Sequence, residues 1–250
     1  QFAGFKNAGY NNIFLGDQAG MCNTGTGTNA SYNIFLGHCS GYRNVDGSHN
    51  IALGEDSGRS NETSFRNITL GLNAGCKNLA GENVFIGVGA GRNKTNGDAN
   101  TFLGTCAGFD FSSGGCNVLI GFNVEPPNST GDFQFAVGAN DNHWIDGDSN
   151  FNIGLGTGIP AAKLDVVGNV VVSDSIGIGT TNPIAKLDVV GNAIVSDSIG
   201  IRTTNPDSNA RIHVVGNAFV SDSIGIGNTA PVYNLDIESA SGSTISIGRN

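Results

Sequence analysis

Apolar residues in the first half of the chain come in short triplets, each opened by an asparagine and closed by a glycine. The motif is Asn-apolar-X-apolar-Gly, anchored at Asn12, Asn33, Asn50, Asn67, Asn83, Asn100 and Asn117. After a first gap of 21 residues the anchors recur every 16 or 17. Six of the seven run on through X-X-Ala/Ser-Gly, ending at Gly20, Gly41, Gly58, Gly75, Gly91 and Gly108. The seventh, NVLIGFNVEPP, breaks off at Pro126-Pro127. Each triplet predicts a strand of period two. Ile51 and Leu53 point one way and Ala52 the other. A fixed short period predicts stacked coils, each two short strands and two turns, bonded to the coils above and below. The recurring Asn suits a turn in which its amide bonds nearby backbone and the Asn of the next coil. The Ala/Ser-Gly pair suits an interior too narrow for large side chains.

The outer two positions of each triplet are apolar in nearly every copy, with Thr101 the departure, and they are read as the coil interior. The middle column, Phe14, Phe35, Ala52, Thr69, Phe85, Phe102 and Leu119, is then expected to face out. Soluble monomers rarely carry so long an apolar stripe. Phe14, Phe35, Phe85, Phe102 and Leu119 are therefore expected to form the core of a trimer, with a Phe-lined binding surface as the alternative.

A second array follows, with units of 23 to 25 residues marked by Gly168, Gly191 and Gly216. IPAAKLDVVGNVVVSDSIGIGTTN is followed by PIAKLDVVGNAIVSDSIGIRTTN and by PDSNARIHVVGNAFVSDSIGIGNTA. Each unit predicts three short strands joined by Gly-Asn, Asp-Ser and Thr-Thr-Asn-Pro turns. Lys163 with Asp165, and Lys186 with Asp188, share a strand face and read as an exposed charge ladder. The third unit departs, with Arg202 for Gly, His213 for Asp and two residues inserted near Asp207-Ser208, which reads as a small loop.

Composition narrows the class. With 38% apolar and 13% charged residues the chain can bury surface. Gly reaches 39 residues, yet Pro is only 6 and no Gly-X-Y period exists, so collagen is excluded. No segment shows a helical apolar period or a span long enough for a bilayer. A formal charge of −9 argues against nucleic acid and anionic membranes as partners. The chain opens and closes in mid-pattern and reads as a window from a longer protein.

Candidate chemistry is sparse. Glu55-Asp56 is the one adjacent acidic pair of the rungs, and adjacent strand residues point to opposite faces, which does not suit a glycosidase pair. His38, His49, His143 and His213 are scattered and propose no catalytic triad. The five cysteines, Cys22, Cys39, Cys76, Cys106 and Cys116, read as small buried residues. Cys39 and Cys106 sit four repeats apart, about 19 Å at about 4.8 Å per layer, beyond disulfide reach. ANDNHWIDGDSN, Ala139 to Asn150, is the richest polar loop. It reads as a structural junction, with calcium binding or glycan contact through Trp144 as alternatives. Segments after each Ala/Ser-Gly vary freely, and Arg59, Arg66 and Arg92 in them, with Trp144, are the receptor-binding candidates.

The rungs resemble the heads of trimeric autotransporter adhesins, which are trimers of β-rolls. The stretch FQFAVGANDNHWIDGDSNFNIGLGTGIPAAKLDVVGN, leading into repeated GIGTTNP and KLDV motifs, resembles the fibre proteins of tailed bacteriophages, especially marine cyanophages. That resemblance covers most of the chain. It implies an all-β homotrimeric fibre segment that serves host attachment, often with a C-terminal self-cleaving chaperone, of which no trace is found here. The expected organisation is a β-roll or β-solenoid array over 1–125, a junction over 126–153 and a β-prism shaft over 154–250. Expected partners are two further copies, a host cell-surface glycan or protein, and other virion proteins. Neither cofactor nor metal is expected, nor enzymatic activity. The expected place is the virion tail fibre or, alternatively, a cell surface. The rival readings are a bacterial trimeric surface adhesin and a polysaccharide-degrading tail spike.

Overall fold

The computed structural model describes residues 2–25, 29–140, 142–193, 195, 199–201, 212–214, 218, 220, 224–226 and 232–237. Among these it is all β, with no helix and hence none long and apolar enough to cross a membrane. The chain divides into two compact units, Gln1–Val171 and Val172–Asn250.

In the first unit each predicted triplet is a strand: β1 (Ile13–Leu15), β2 (Ile34–Leu36), β3 (Ile51–Leu53), β4 (Ile68–Leu70), β5 (Val84–Ile86), β6 (Thr101–Leu103) and β7 (Val118–Phe122). Each pairs parallel with the next, and homologous residues meet: Phe14 with Phe35, Phe35 with Ala52, Phe85 with Phe102. The result is a β-solenoid of about seven turns. Each coil holds one strand, and the rest is tight turn rather than the expected second strand. The turns still stack, since Gly41 N donates to Ser57 O and Gly58 N to Ala74 O, both at 2.9 Å.

Glycine serves two distinct corners. Gly104, just after its strand, has φ +135°, and a Cβ there would lie 2.0 Å from the carbonyl oxygen of Gly121 in the next coil. Gly41, the second glycine of its rung, has φ +55°, and a Cβ would lie 2.4 Å from the Phe35 ring. That second contact overturns an expectation. The middle column does not face out: Phe35, Phe85, Phe102 and Leu119 are at most 1% exposed inside the single chain, and Phe14 packs partly buried against the same core. These residues are the coil's own core, not the core of a trimer. Ala/Ser-Gly is small because an aromatic ring from the opposite wall fills the space, not because the interior excludes rings. The outer columns are the outward face, with Ile13 57% and Leu15 66% exposed.

The anchor asparagines form a buried ladder, as expected. Each Oδ1 accepts the backbone N–H of the next anchor, from Asn33 N to Asn12 through Asn117 N to Asn100, at 2.8–3.0 Å. The side-chain amides donate to turn carbonyls of the following coil, Asn50 to Ser64 O and Asn67 to Ala80 O at 2.9 Å. A second column of Asn23, Asn44, Asn61 and Asn78 lines the interior three residues after the second glycine. In the next two coils it is taken over by Lys94 and Phe111, both fully buried.

The stack extends one strand past the last asparagine. β8 (Phe135–Ala139) pairs parallel with β7, and Gln134 stands in for the anchor, its N–H donating to Asn117 Oδ1 at 2.8 Å. Chain direction then reverses. β9 (Asn142–Gly147) pairs antiparallel with β8 and with β10 (Ile153–Leu155), which pairs parallel with β11 (Leu164–Val166).

The second unit repeats that last pairing. β12 (Ile176–Ile178) pairs parallel with β13 (Leu187–Val189), as do β14 (Ile199–Ile201) with β15 (Ile212–Val214) and β16 (Ile224–Ile226) with β17 (Leu235–Ile237). The expected charge ladder is not formed. Asp165 and Asp188 instead accept from Ala161 N and Ile184 N, closing the turn before their strands, while Lys186 reaches Ser173 O and Asp174. Arg202 and the Asp207-Ser208 insertion lie outside the described residues, as does the side chain of His213.

Candidate functional site

The receptor-binding candidates fall on three separate places. Arg59 and Arg92 share a column, one residue after the second glycine of their coils. Arg59 bonds Asp56 at 3.3 Å and lies 5.8 Å from the Tyr42 ring centroid, and Arg92 lies 5.4 Å from that of Phe109. Arg66 sits at another corner, before an anchor Asn, in a left-handed conformation with φ 57°. It pairs with Glu82 at 2.6 Å and lies over Phe65. Tyr32 and His49 hold the same corner in earlier coils and stack on each other at 4.9 Å. Each arginine thus already bridges or stacks on a neighbouring residue, and the structure does not gather them into one patch.

Glu55 lies on the surface 3.8 Å from His38, apart from the Asp56–Arg59 pair. Of the cysteines only Cys39 is buried, while Cys22, Cys76 and Cys106 are half-buried and Cys116 is exposed. Burial pushes the Cys39 and Cys76 thiols up, away from the reactive thiolate.

At the junction, polar groups converge on a sizeable hollow. β8 and β9 contain a bulge. Val137 pairs with Ile145 but Gly138 pairs with His143, so Trp144 is the extra residue. Trp144 is thrown outward, 69% exposed. The bulge also changes the parity of β9. Asp146 is opposite Ala136, and His143 is opposite Gly138, two residues on along β8, so the two side chains share a face. There His143 Nδ1 meets Asp146 Oδ1 at 2.7 Å, with the carboxylate 2% and the imidazole 14% exposed. The sequence did not mark His143 and Asp146 as a pair, because an unbulged strand would put residues three apart on opposite faces.

β10 carries the chain back so that Gly156, Thr157, Gly158 and Ile159 form the other wall of a cleft of about 440 Å3, with Pro127 at its edge. A smaller hollow of about 200 Å3 adjoins it along Pro127, Gly158 and Ile159. Asp148 there closes the following turn. Its Oδ1 accepts from Asn150 N and Asn152 N at 2.9 and 3.0 Å, which holds its carboxyl below the usual range. Trp144 does not line either hollow. Compared with protein-family models, curated proteins and solved structures, the chain finds no match.

Proposed function

We propose that this chain is a segment of a homotrimeric attachment fibre, of the kind that tailed bacteriophages use to bind a host cell. The observation that carries the reading is that none of the described residues in the repeats of the second unit is buried. Val195 is 50%, Val190 66% and Ile184 90% exposed, and each described sheet has only two strands. A two-stranded pair is not stable alone in water. Repeats that keep such residues at every turn need other chains to cover them. The outer columns of the solenoid, Ile13 and Leu15 onward, support the same conclusion. Association of three copies would cover each set, and a chain built largely of repeats suits a mechanical and adhesive role. Light scattering on the full chain should return three times the monomer mass of 25.6 kDa. Labelled protein should also attach to cyanobacterial cells, the hosts that the sequence resemblance implies. A monomeric mass at micromolar concentration sinks the trimer, and absence of attachment sinks the adhesive role.

A further inference from the structure

The two hollows that adjoin along Pro127, Gly158 and Ile159 differ in what their polar atoms are free to do. In the smaller one they are spent on the fold. Gln134 bonds Asn128 and Gly131, Asp132 accepts from Gly115 N at 2.6 Å, and Asp148 holds its own turn. In the larger cleft they are not. His143 Nδ1 is engaged with Asp146 Oδ1 at 2.7 Å, while Nε2 has no hydrogen-bond partner among the described residues. Asp146 Oδ2 takes no hydrogen bond among the described residues and faces Gly158, whose Cβ position lies 3.8 Å away. The amide of Asn142, at the rim, is unspent as well.

A fitting ligand must therefore offer a donor to the Asp146 carboxylate, and groups that can both donate and accept to meet an imidazole nitrogen and an amide. It must also lay an apolar edge on Pro127 and on Ile159, which is 87% exposed. The carboxylate of Asp146 works against an anion. A sugar ring meets these demands, with neighbouring hydroxyls as donors and a C–H face for the apolar wall. The cleft's volume lies within the range of about 300–1,000 Å3 usual for small-molecule sites. We propose that the cleft between β9 and residues 156–159 binds a neutral saccharide unit of a cell-surface glycan. Its biological source rests on the attachment reading above.

The test is saturation-transfer NMR on the full chain with glucose, galactose, mannose, N-acetylglucosamine and their disaccharides, with glucuronic acid as the anionic counterpart. Gly158→Leu is the blocking variant. Gly158 does not have a positive φ, and its Cβ position meets nothing closer than 3.8 Å, so the side chain enters the cleft without backbone strain. At least one neutral sugar should bind, Gly158→Leu should weaken it more than about tenfold with the melting temperature unchanged, and Asn142→Ala should weaken it several-fold. Should Gly158→Leu melt early, the exposed Asn142→Ala decides. The proposal is overturned if no neutral sugar binds, if the deciding variant binds like the parent, or if glucuronic acid binds as well as glucose. Sugar binding without attachment to cells would defeat the fibre reading and leave the site standing. Attachment that Gly158→Leu leaves intact would defeat the glycan assignment alone.

Discussion

Asn67 serves two backbone groups and one side-chain oxygen with its own side chain and N–H. It donates its N–H to Asn50 Oδ1, accepts from Asn83 N, and donates its amide to Ala80 O, all within the buried interior. Asn67→Ala strands the Asn83 N–H, while the Ala80 carbonyl keeps its bond from the Asn78 amide at 2.7 Å. An unpaired buried group costs about 1–3 kcal/mol, so chemical denaturation should show a loss of about 1–3 kcal/mol. A loss under half a kcal/mol would mean that water replaces the ladder. Lys94 makes a different prediction. It is fully buried, donates to Asn96 O and Gly114 O, and lies 4.7 Å from the Phe111 ring centroid. Burial pushes its pKa down to about 8 from the ordinary 10.5, against the opposing pull of Asp132 and Asp98. A neutral amine still has two N–H groups for those two carbonyls. Below pH 8 folded and unfolded chains both carry the charge, and the fold bears the full cost of burying it. Between pH 8 and 10.5 only the unfolded chain holds the proton, so this residue's contribution rises with pH. The stability of Lys94→Met relative to the parent should therefore fall between pH 7 and pH 10. A gap that does not change with pH would place the ammonium in water.

At the scale of the element, the coil is a strand whose middle side chain fills the space left by the small pair opposite. Phe14 stacks on Phe35 at 5.3 Å and Phe85 on Phe102 at 4.9 Å. Between the two stacks the column drops to Ala52 and Thr69, and a cavity of about 10 Å3 remains, bordered by Phe35 and by Asn61, whose Oδ1 has no partner. Gly58 faces Ala52 in the same left-handed conformation in which Gly41 faces Phe35, φ +57° against +55°. Ala52→Phe should continue the ring stack on Phe35 and raise stability by about 1 kcal/mol, well short of the 1.5–3 kcal/mol of a fully gained burial. Thermal denaturation decides. A drop of a kcal/mol or more would show that the coils have closed around the small residues and are overpacked by the ring.

At the scale of the molecule, the inward and outward columns make separable predictions. Phe85→Ala removes a core ring and should cost about 3–5 kcal/mol of coil stability at any protein concentration. Leu53→Glu places a charge on the outward column. Leu53 is half-buried in the single chain, so the variant should leave the circular dichroism of the coil intact, and it should lower the mass seen by light scattering if the proposed association between copies covers the rest of that column. The opposite pattern, with Leu53→Glu unfolding the coil and Phe85→Ala merely dissociating it, would restore the outward reading of the phenylalanines.

The amino-acid sequence by itself determined the period, the position of the one strand in each coil, the ladder role of the anchor asparagines and the recurrence of glycine at the corners. These follow from local demands, since an Asn that bonds its homologue one layer on, or a backbone at φ +135°, leaves its mark in every copy. The sequence did not decide which side of the triplet is inside. Apolar residues on both outer positions imitate a core, and their outward direction appears only when the coil closes and sets Gly41 against Phe35. Nor did it mark the eighth strand, where Gln134 replaces Asn after a Pro-Pro pair. The meeting of His143 with Asp146 depends on a single bulged residue, Trp144, and a bulge is set by the partner strand rather than by the residues it displaces. Conformation repeated along the chain is written in each repeat, whereas inside and outside, and the face of a displaced strand, are decided by what packs opposite.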